Sequence, residues 1–148
     1  EEYINLLIKD LFYHPMNKNN KGAQKLFGGN IGIIYPDFIS RSSEKRIIAD
    51  AKYKPINNIG NRDYLQLLAY MFRFDAKFGY YLYPETGNSD DLELWLNSGS
   101  TYEANVVPRN DIKIIKRGFK IPADAQDYSD FVIKMKAQEQ KFTSLFFS

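Results

Sequence analysis

The chain has 148 residues, of which 44% are hydrophobic and 16% aromatic, a size and composition that fit one globular domain and exclude a disordered or low-complexity protein. It has no cysteine, which excludes disulfides and thiolate metal sites and fits a cytoplasmic protein. Its one histidine, His14, excludes two-histidine metal motifs, so any metal would be bound by oxygen ligands. The formal net charge is only +2, and no apolar run is long enough to span a membrane.

Hydrophobic spacing predicts helices over residues 1–12, 62–76 and 127–146. In the middle helix Leu65, Leu68, Ala69 and Phe72 lie on one side, and Leu67, Met71 and Phe74 widen the apolar arc. Runs rich in β-branched and aromatic residues predict strands over residues 24–27, 31–39, 46–53, 80–83, 92–96, 102–107 and 112–115. Pro36 lacks an amide donor, so its strand should be at an edge, bulged or ending there. This order predicts an α/β or α+β fold, with a mixed sheet flanked by helices.

The chain is expected to be a single domain over residues 1–148, excised from a longer subunit, because it opens on Glu1-Glu2 without a methionine or a signal peptide. Basic residues cluster in two stretches, with five basic and two acidic residues over 41–54, and five basic and one acidic over 109–120. Such clusters could contact phosphates, although solvated surface strands and loops would give the same pattern. His14 is assigned to a loop without a catalytic role.

Residues 46–53 are the best strand in the sequence. Alternation along this strand puts Asp50 and Lys52 on one face with Ile48, while residues 47, 49, 51 and 53 point to the other face. Burying either charge costs several kcal/mol unless it is paired or bound to a metal. An acid and a base on an otherwise apolar strand therefore need an explanation, and an ion pair across that face is the simplest alternative to a functional site.

An acid-x-Lys triplet is weak evidence alone, because the chain contains four of them. Only Asp50-Ala51-Lys52 follows a Pro-Asp pair, Pro36-Asp37, with twelve residues and a turn between them. That gap suits a β-hairpin whose register could place Asp37 beside Asp50. The structural alternative for Asp37 is a carboxylate at a turn or strand end.

Pro36-Asp37 followed by Asp50-Ala51-Lys52 resembles the PD-(D/E)xK nuclease signature. The longer stretches 48–54, 63–70 and 82–84 are similar to the nuclease part of McrC, the cleavage subunit of the McrBC 5-methylcytosine restriction system. The resemblance covers residues 1–84 and, more faintly, 117–122. It implies a restriction-endonuclease-like core and Mg²⁺-dependent or Mn²⁺-dependent cleavage of DNA.

The resemblance also implies a set of site residues. Asp37, Asp50 and Lys52 would be catalytic, and the two aspartates would bind the metal with the Ala51 carbonyl. Glu1 would reach the metal through water, although an acid at a helix N-terminus is an equally simple interpretation. Gln66 and Tyr70 are four residues apart on one helix face and would support the site or contact DNA. Lys54 could also contact a phosphate. The alternative is that all three are only surface residues.

The implied partners are double-stranded DNA, including methylated DNA, and an McrB-like GTPase subunit. GTP would act only through that partner, because the chain contains no G-x-x-x-x-G-K-[ST] pattern. Two alternatives stay open: a PD-(D/E)xK nuclease of a DNA-repair helicase complex, and a catalytically silent nuclease-like module that binds DNA or protein.

Overall fold

The structure, a computed structural model, describes residues 2–15, 23–53, 56–87, 89–99 and 106–146. Within these ranges the chain forms three α-helices and eight β-strands. The helices are α1 (Glu2–Ile8), α2 (Asn61–Arg73) and α3 (Tyr128–Ser144). The strands are β1 (Phe12–Tyr13), β2 (Gln24–Lys25), β3 (Ile33–Ile34), β4 (Phe38–Ser40), β5 (Ile47–Ala51), β6 (Phe78–Glu85), β7 (Leu92–Asn97) and β8 (Pro108–Lys120).

Six of these strands form one mixed sheet, in the order β1-β4-β5-β6-β8-β7. The pairs β1–β4, β4–β5 and β7–β8 are antiparallel, whereas β5–β6 and β6–β8 are parallel. The remaining strands, β2 and β3, form a separate hairpin. A mixed sheet flanked by helices confirms the predicted fold class. None of the helices in the described part of the chain is long and apolar enough to cross a membrane.

The two faces of the sheet carry two hydrophobic cores. On one face, α1 and α3 pack against Ile47, Ala49 and Tyr80, and edge-to-face aromatic pairs such as Phe142–Phe146 fill the layer. On the other face, α2 packs against a second set of buried residues that includes Ile48. The alternation predicted for β5 is therefore confirmed, and it places the Asp50 face of β5 under α2.

The first helix ends earlier than predicted. It stops at Ile8, and Phe12 and Tyr13 form β1, which pairs with Ser40 and Ile39 of β4. Phe12 is buried and stacks edge-to-face on Phe146. Strand pairing and burial of this ring outweigh a helical preference in a short segment, because a short helix has little stability of its own.

Strand β6 was predicted to stop at Pro84 but continues to Glu85. The Leu82 carbonyl accepts from the Lys52 amide (2.8 Å), and the Glu85 carbonyl accepts from the Ile121 amide (2.8 Å). These two bonds run to opposite sides of β6, one to the residue after β5 and the other to the residue after β8. Because backbone groups alternate in direction along a strand, the Pro84 nitrogen points to the same side as Leu82, toward β5. At the level of Pro84, β5 has already ended at Ala51. The missing N–H of proline therefore costs the sheet no hydrogen bond.

Other differences follow from the same tertiary packing. The predicted strand over 31–39 is divided at Pro36 into β3 and β4, and β8 is much longer than the predicted strand over 112–115. For the strand predicted over 102–107, residues 102–105 lie outside the described residues, and Val106 and Val107 are not in a strand.

Only part of the apolar arc predicted for α2 meets the sheet. Leu67, Tyr70 and Met71 are buried, whereas Leu65 is exposed and Phe72 is 89% exposed. Two apolar stripes run along this helix, and only one of them can contact the sheet.

Gly79 of β6 allows α2 to lie close to the sheet. A Cβ atom at this position would come within 2.5 Å of the Met71 sulfur and 3.1 Å of a Leu67 methyl. Met71 and Leu67 are both buried, so their side chains have little space into which they could move. The absence of a side chain at residue 79 therefore sets the distance between α2 and the sheet.

We predict that Gly79→Ala destabilises the domain by about 1–3 kcal/mol, the usual cost of overpacking a core. Gly28→Ala is the matched control, because a Cβ atom at residue 28 meets nothing within 4 Å. Urea unfolding followed by circular dichroism would compare the two variants. Equal free energies of unfolding in both would show that α2 does not depend on this close approach.

Candidate active site

The hairpin formed by β4 and β5 brings the two predicted aspartates together. Phe38 pairs with Ala49 and Ile39 with Ile48, so the next position in this register places Asp37 opposite Asp50. The Ala51 amide donates to Asp37 Oδ2 over 2.9 Å, which fixes the Asp37 carboxylate against β5. The adjacency that the spacing predicted is present in the structure.

Ser40 holds this register at the other end of the hairpin. Its side chain is completely buried, and Oγ accepts from the Ile47 amide over 2.8 Å. The same hydroxyl lies 3.2 Å from the Lys45 carbonyl, to which it donates. A buried hydroxyl that bridges the two arms resists slippage, and a slip of one residue would move Asp50 to the opposite face of the sheet.

His14 lies next to Asp37, which the sequence did not indicate. It follows β1, whose pairing with β4 brings the imidazole onto Phe38, with the ring centres 4.8 Å apart. His14 Nδ1 donates to the Asp37 carbonyl over 2.8 Å. This hydrogen bond anchors the backbone of Asp37 immediately before β4.

Lys52 directly follows the last residue of β5, and its ammonium lies between the carboxylates of Asp50 and Asp63. Its Nζ is 2.9 Å from Asp50 Oδ2 and 3.2 Å from Asp63 Oδ1. All three side chains are largely shielded, with 19%, 15% and 16% of their surfaces exposed for Lys52, Asp50 and Asp63. Burial works to lower the pKa of Lys52, but the two carboxylates outweigh it and raise the pKa above its usual value. The lysine is therefore charged at neutral pH.

Asp63 is the site residue that sequence reasoning missed. It is the third residue of α2, where its Oδ2 accepts from the Gly60 amide over 3.1 Å as part of the helix cap. An acid at this position is typical of a helix N-terminus, so the sequence offered no reason to connect it with Lys52. Only the packing of α2 on the sheet reveals the contact.

Of the two residues predicted on α2, Tyr70 lies near the site and Gln66 is on the surface. The Tyr70 ring is buried, and its hydroxyl accepts from the Tyr35 amide over 3.4 Å. Burial raises the pKa of Tyr70, and the negative charges of Asp50 and Asp37 raise it further. Gln66 is exposed and its side chain makes no hydrogen bond within the described residues, so contact with DNA stays a prediction.

A row of polar side chains continues from Asp50 across the sheet. Tyr81 pairs with Asp50 and with Lys116 in the register, so the three share the face under α2. The Tyr81 hydroxyl is buried without a hydrogen bond in the described residues, and burial raises its pKa, with a further contribution from Asp50. Lys116 is buried and donates to the Tyr64 hydroxyl over 2.6 Å. The site therefore lies at one end of a polar strip within an apolar layer.

The donor set fits a hard divalent cation. Within the described residues no group of three or more acidic or histidine side chains could hold a metal ion. Mg²⁺ is typically bound by one or two carboxylates and keeps several waters, which Asp37 and Asp50 would match. The Ala51 N–H points to Asp37, and the carbonyl of the same extended residue points to the same side of β5. Asp37, Asp50 and the Ala51 carbonyl are thus the residues that would hold the ion.

Glu1 and Lys54 are outside the described residues. Asp91, immediately before β7, pairs with the buried Arg117 at 2.8 Å. That arginine stacks on Tyr80 and Phe146, under the helices on the opposite face from Asp50. Asp91 therefore has a structural role in anchoring the segment before β7.

The fold, a mixed sheet flanked by helices, is that of a restriction-endonuclease-like core. Its hairpin of β4 and β5 brings together two aspartates and a lysine. The model of one family, the McrBC 5-methylcytosine restriction system component family, matches residues 1–84, and the chain belongs to that family. The matched segment contains every site residue described above except Lys116. No curated protein matches the chain.

We predict that Mg²⁺ binds the wild-type chain and raises its melting temperature, because a ligand that binds only the folded state stabilises it, by about 2.7 kcal/mol at 100 times its Kd. Asp50→Asn should abolish this increase. Asp111→Asn is the control, since Asp111 pairs with Arg109 at the surface. A thermal shift with Mg²⁺ that is the same in Asp50→Asn as in the wild type would exclude this metal site.

Proposed function

We propose that this chain is a Mg²⁺-dependent DNA endonuclease of the PD-(D/E)xK type and forms the cleavage domain of an McrBC-type restriction system. The observation that supports this most is the convergence of Asp37, Asp50 and Lys52, with Asp37 tied to Ala51 and Lys52 within 2.9 Å of Asp50. Membership of the McrBC family supports the assignment to a restriction system. The substrate of this domain would be double-stranded DNA, including methylated DNA.

The residues divide the work of phosphodiester hydrolysis. When bound, the divalent cation would neutralise charge on the phosphate, activate water and assist the leaving oxygen. Asp37 and Asp50 would hold the cation at a fixed place, because the Asp37 carboxylate is hydrogen-bonded to β5, the strand that carries Asp50. Lys52 supplies a compact positive charge that orients the attacking water or stabilises the transition state.

An ion pair that only stabilises the fold is the competing explanation, and Lys52 does pair with Asp50. The register also places the Asp37 carboxylate opposite that of Asp50, so two acids share one face of the hairpin. Carboxylates that face each other repel, and a cation bound by both would compensate for that repulsion. This repulsion favours an active nuclease over a silent nuclease-like module.

The partner in the proposed system is an McrB-like GTPase. The chain has no G-x-x-x-x-G-K-[ST] pattern, so GTP would bind to the partner and DNA movement would be driven there. A nuclease of a DNA-repair helicase complex would use the same residues, but the family match favours the restriction system. A cytoplasmic location stays a prediction from composition.

We expect the chain to cut plasmid DNA in Mg²⁺, alone or with its GTPase subunit and GTP, and we expect EDTA to stop the reaction. Asp50→Ala and Lys52→Met should each lower the cleavage rate about 10³-fold or more, as loss of a transition-state contact does. Lys113→Met is the control, because Lys113 pairs with Glu93 on the edge strand β7.

Gel electrophoresis of supercoiled, nicked and linear plasmid would measure these rates. The proposal would be wrong if the wild type with its partner left DNA intact, or if Asp50→Ala cut as fast as the wild type. Lys52→Met should still bind Mg²⁺, which separates the role of the lysine from that of the carboxylates.

A further inference from the structure

The ammonium of Lys52 covers an oxygen that the metal would need. Asp50 Oδ2 is shielded from solvent and has no hydrogen bond within the described residues, and Lys52 Nζ lies 2.9 Å from it. A divalent cation bound to the Asp50 carboxylate would compete with the Lys52 ammonium for the same negative charge. It would also repel the ammonium, because both are positively charged. Binding of the ion therefore weakens the hold of Asp50 on Lys52.

Asp63 holds Lys52 from a different direction. It comes from α2 rather than from the sheet, and its Oδ1 lies 3.2 Å from Lys52 Nζ. Its Oδ2 is occupied by the Gly60 amide, so the first turn of the helix fixes the side chain. Because Asp37 and Asp50 face each other across β4 and β5, Asp63 is the carboxylate left to pair with Lys52 when that pair binds a cation.

We propose that Asp63 is a positioning residue: it retains the Lys52 ammonium at the site when a divalent cation takes over Asp50. This inference rests on the proposed nuclease function. Lysine has a flexible four-carbon stem, and an ammonium without a partner in a shielded site moves toward water. Asp63 prevents that movement, so that the same lysine side chain serves both the metal-free and the metal-bound site.

Substitutions at residue 63 can separate this role from helix capping. Glutamine and glutamate both serve at the third helix position in a capping box, so Asp63→Gln keeps the cap and removes the charge, whereas Asp63→Glu keeps both. Asp130→Gln is the matched control. Asp130 is the third residue of α3, accepts from the Gln126 amide over 3.1 Å, and pairs with Lys134 instead of a site lysine.

The direct readout is the NMR signal of the Lys52 NH₃⁺ group, assigned by its loss in Lys52→Arg and followed during a Mg²⁺ titration. In the wild type, Asp63→Glu and Asp130→Gln, the signal should shift and persist, because the group stays paired and exchanges slowly with water. In Asp63→Gln it should broaden beyond detection as Mg²⁺ binds. A signal that persists in Asp63→Gln, or disappears in the wild type, would overturn the proposal.

Cleavage kinetics give the second readout. At saturating Mg²⁺ we expect Asp63→Gln to lower kcat about 10–100-fold, the usual effect of losing an outer-shell partner, with the KM for DNA nearly unchanged. Asp63→Glu should recover most of that loss, and Asp130→Gln should match the wild type.

The two failures can be distinguished. An inactive wild type would contradict the proposed function, whereas an active wild type with equal kcat in Asp63→Gln would contradict the role of Asp63 alone. Melting temperatures of Asp63→Gln and Asp130→Gln within a few degrees of each other would show that lost capping does not explain a change in kcat.

Discussion

The pairing register of β4 with β5 is the constraint on which the rest of the site depends. Asp37 comes just before β4, Asp50 comes near the end of β5, and they meet only because Phe38 faces Ala49. Side chains alternate along strands, so a shift by one residue would separate the two carboxylates completely. Two bonds oppose that shift, one from Ile47 to the Ser40 hydroxyl and one from Ala51 to the Asp37 carboxylate.

Electrostatics then decide what the hairpin can hold. The sheet is apolar on both sides of this point, so charge there is costly, and the carboxylates of Asp37 and Asp50 face each other in the register. The repulsion between these two carboxylates connects the fold to its proposed chemistry, because the residues that repel each other without a cation are those that would bind one.

Local patterns in the sequence predicted the parts of the structure that depend on local geometry. Period-two alternation identified β5 and its faces, and the distance from Pro36-Asp37 to Asp50 identified a hairpin, because both signals lie within a few residues of the structure they describe. The resemblance to the McrBC family was confirmed by the family match.

Features that depend on neighbouring layers could not be predicted in this way. On α2 two apolar stripes compete, and the choice between Leu67 and Leu65 is made by the sheet, which no helical period reveals. In the sequence, Asp63 has the pattern of an ordinary helix cap and His14 that of a loop residue. Only the packing of α2 brings Asp63 to Lys52, and only the pairing of β1 brings His14 to Asp37. The extension of β6 through Pro84 required knowledge of where β5 ends.

The empty position at Gly79 has a consequence for how activity could be adjusted. The glycine lies beneath α2 and contributes no side chain to the site, yet it sets how closely the helix that carries Asp63 approaches the strand that precedes Lys52. If the chain is the nuclease proposed above, substitutions at this buried spacer would offer a graded way to attenuate it while leaving each of its reactive side chains in the protein.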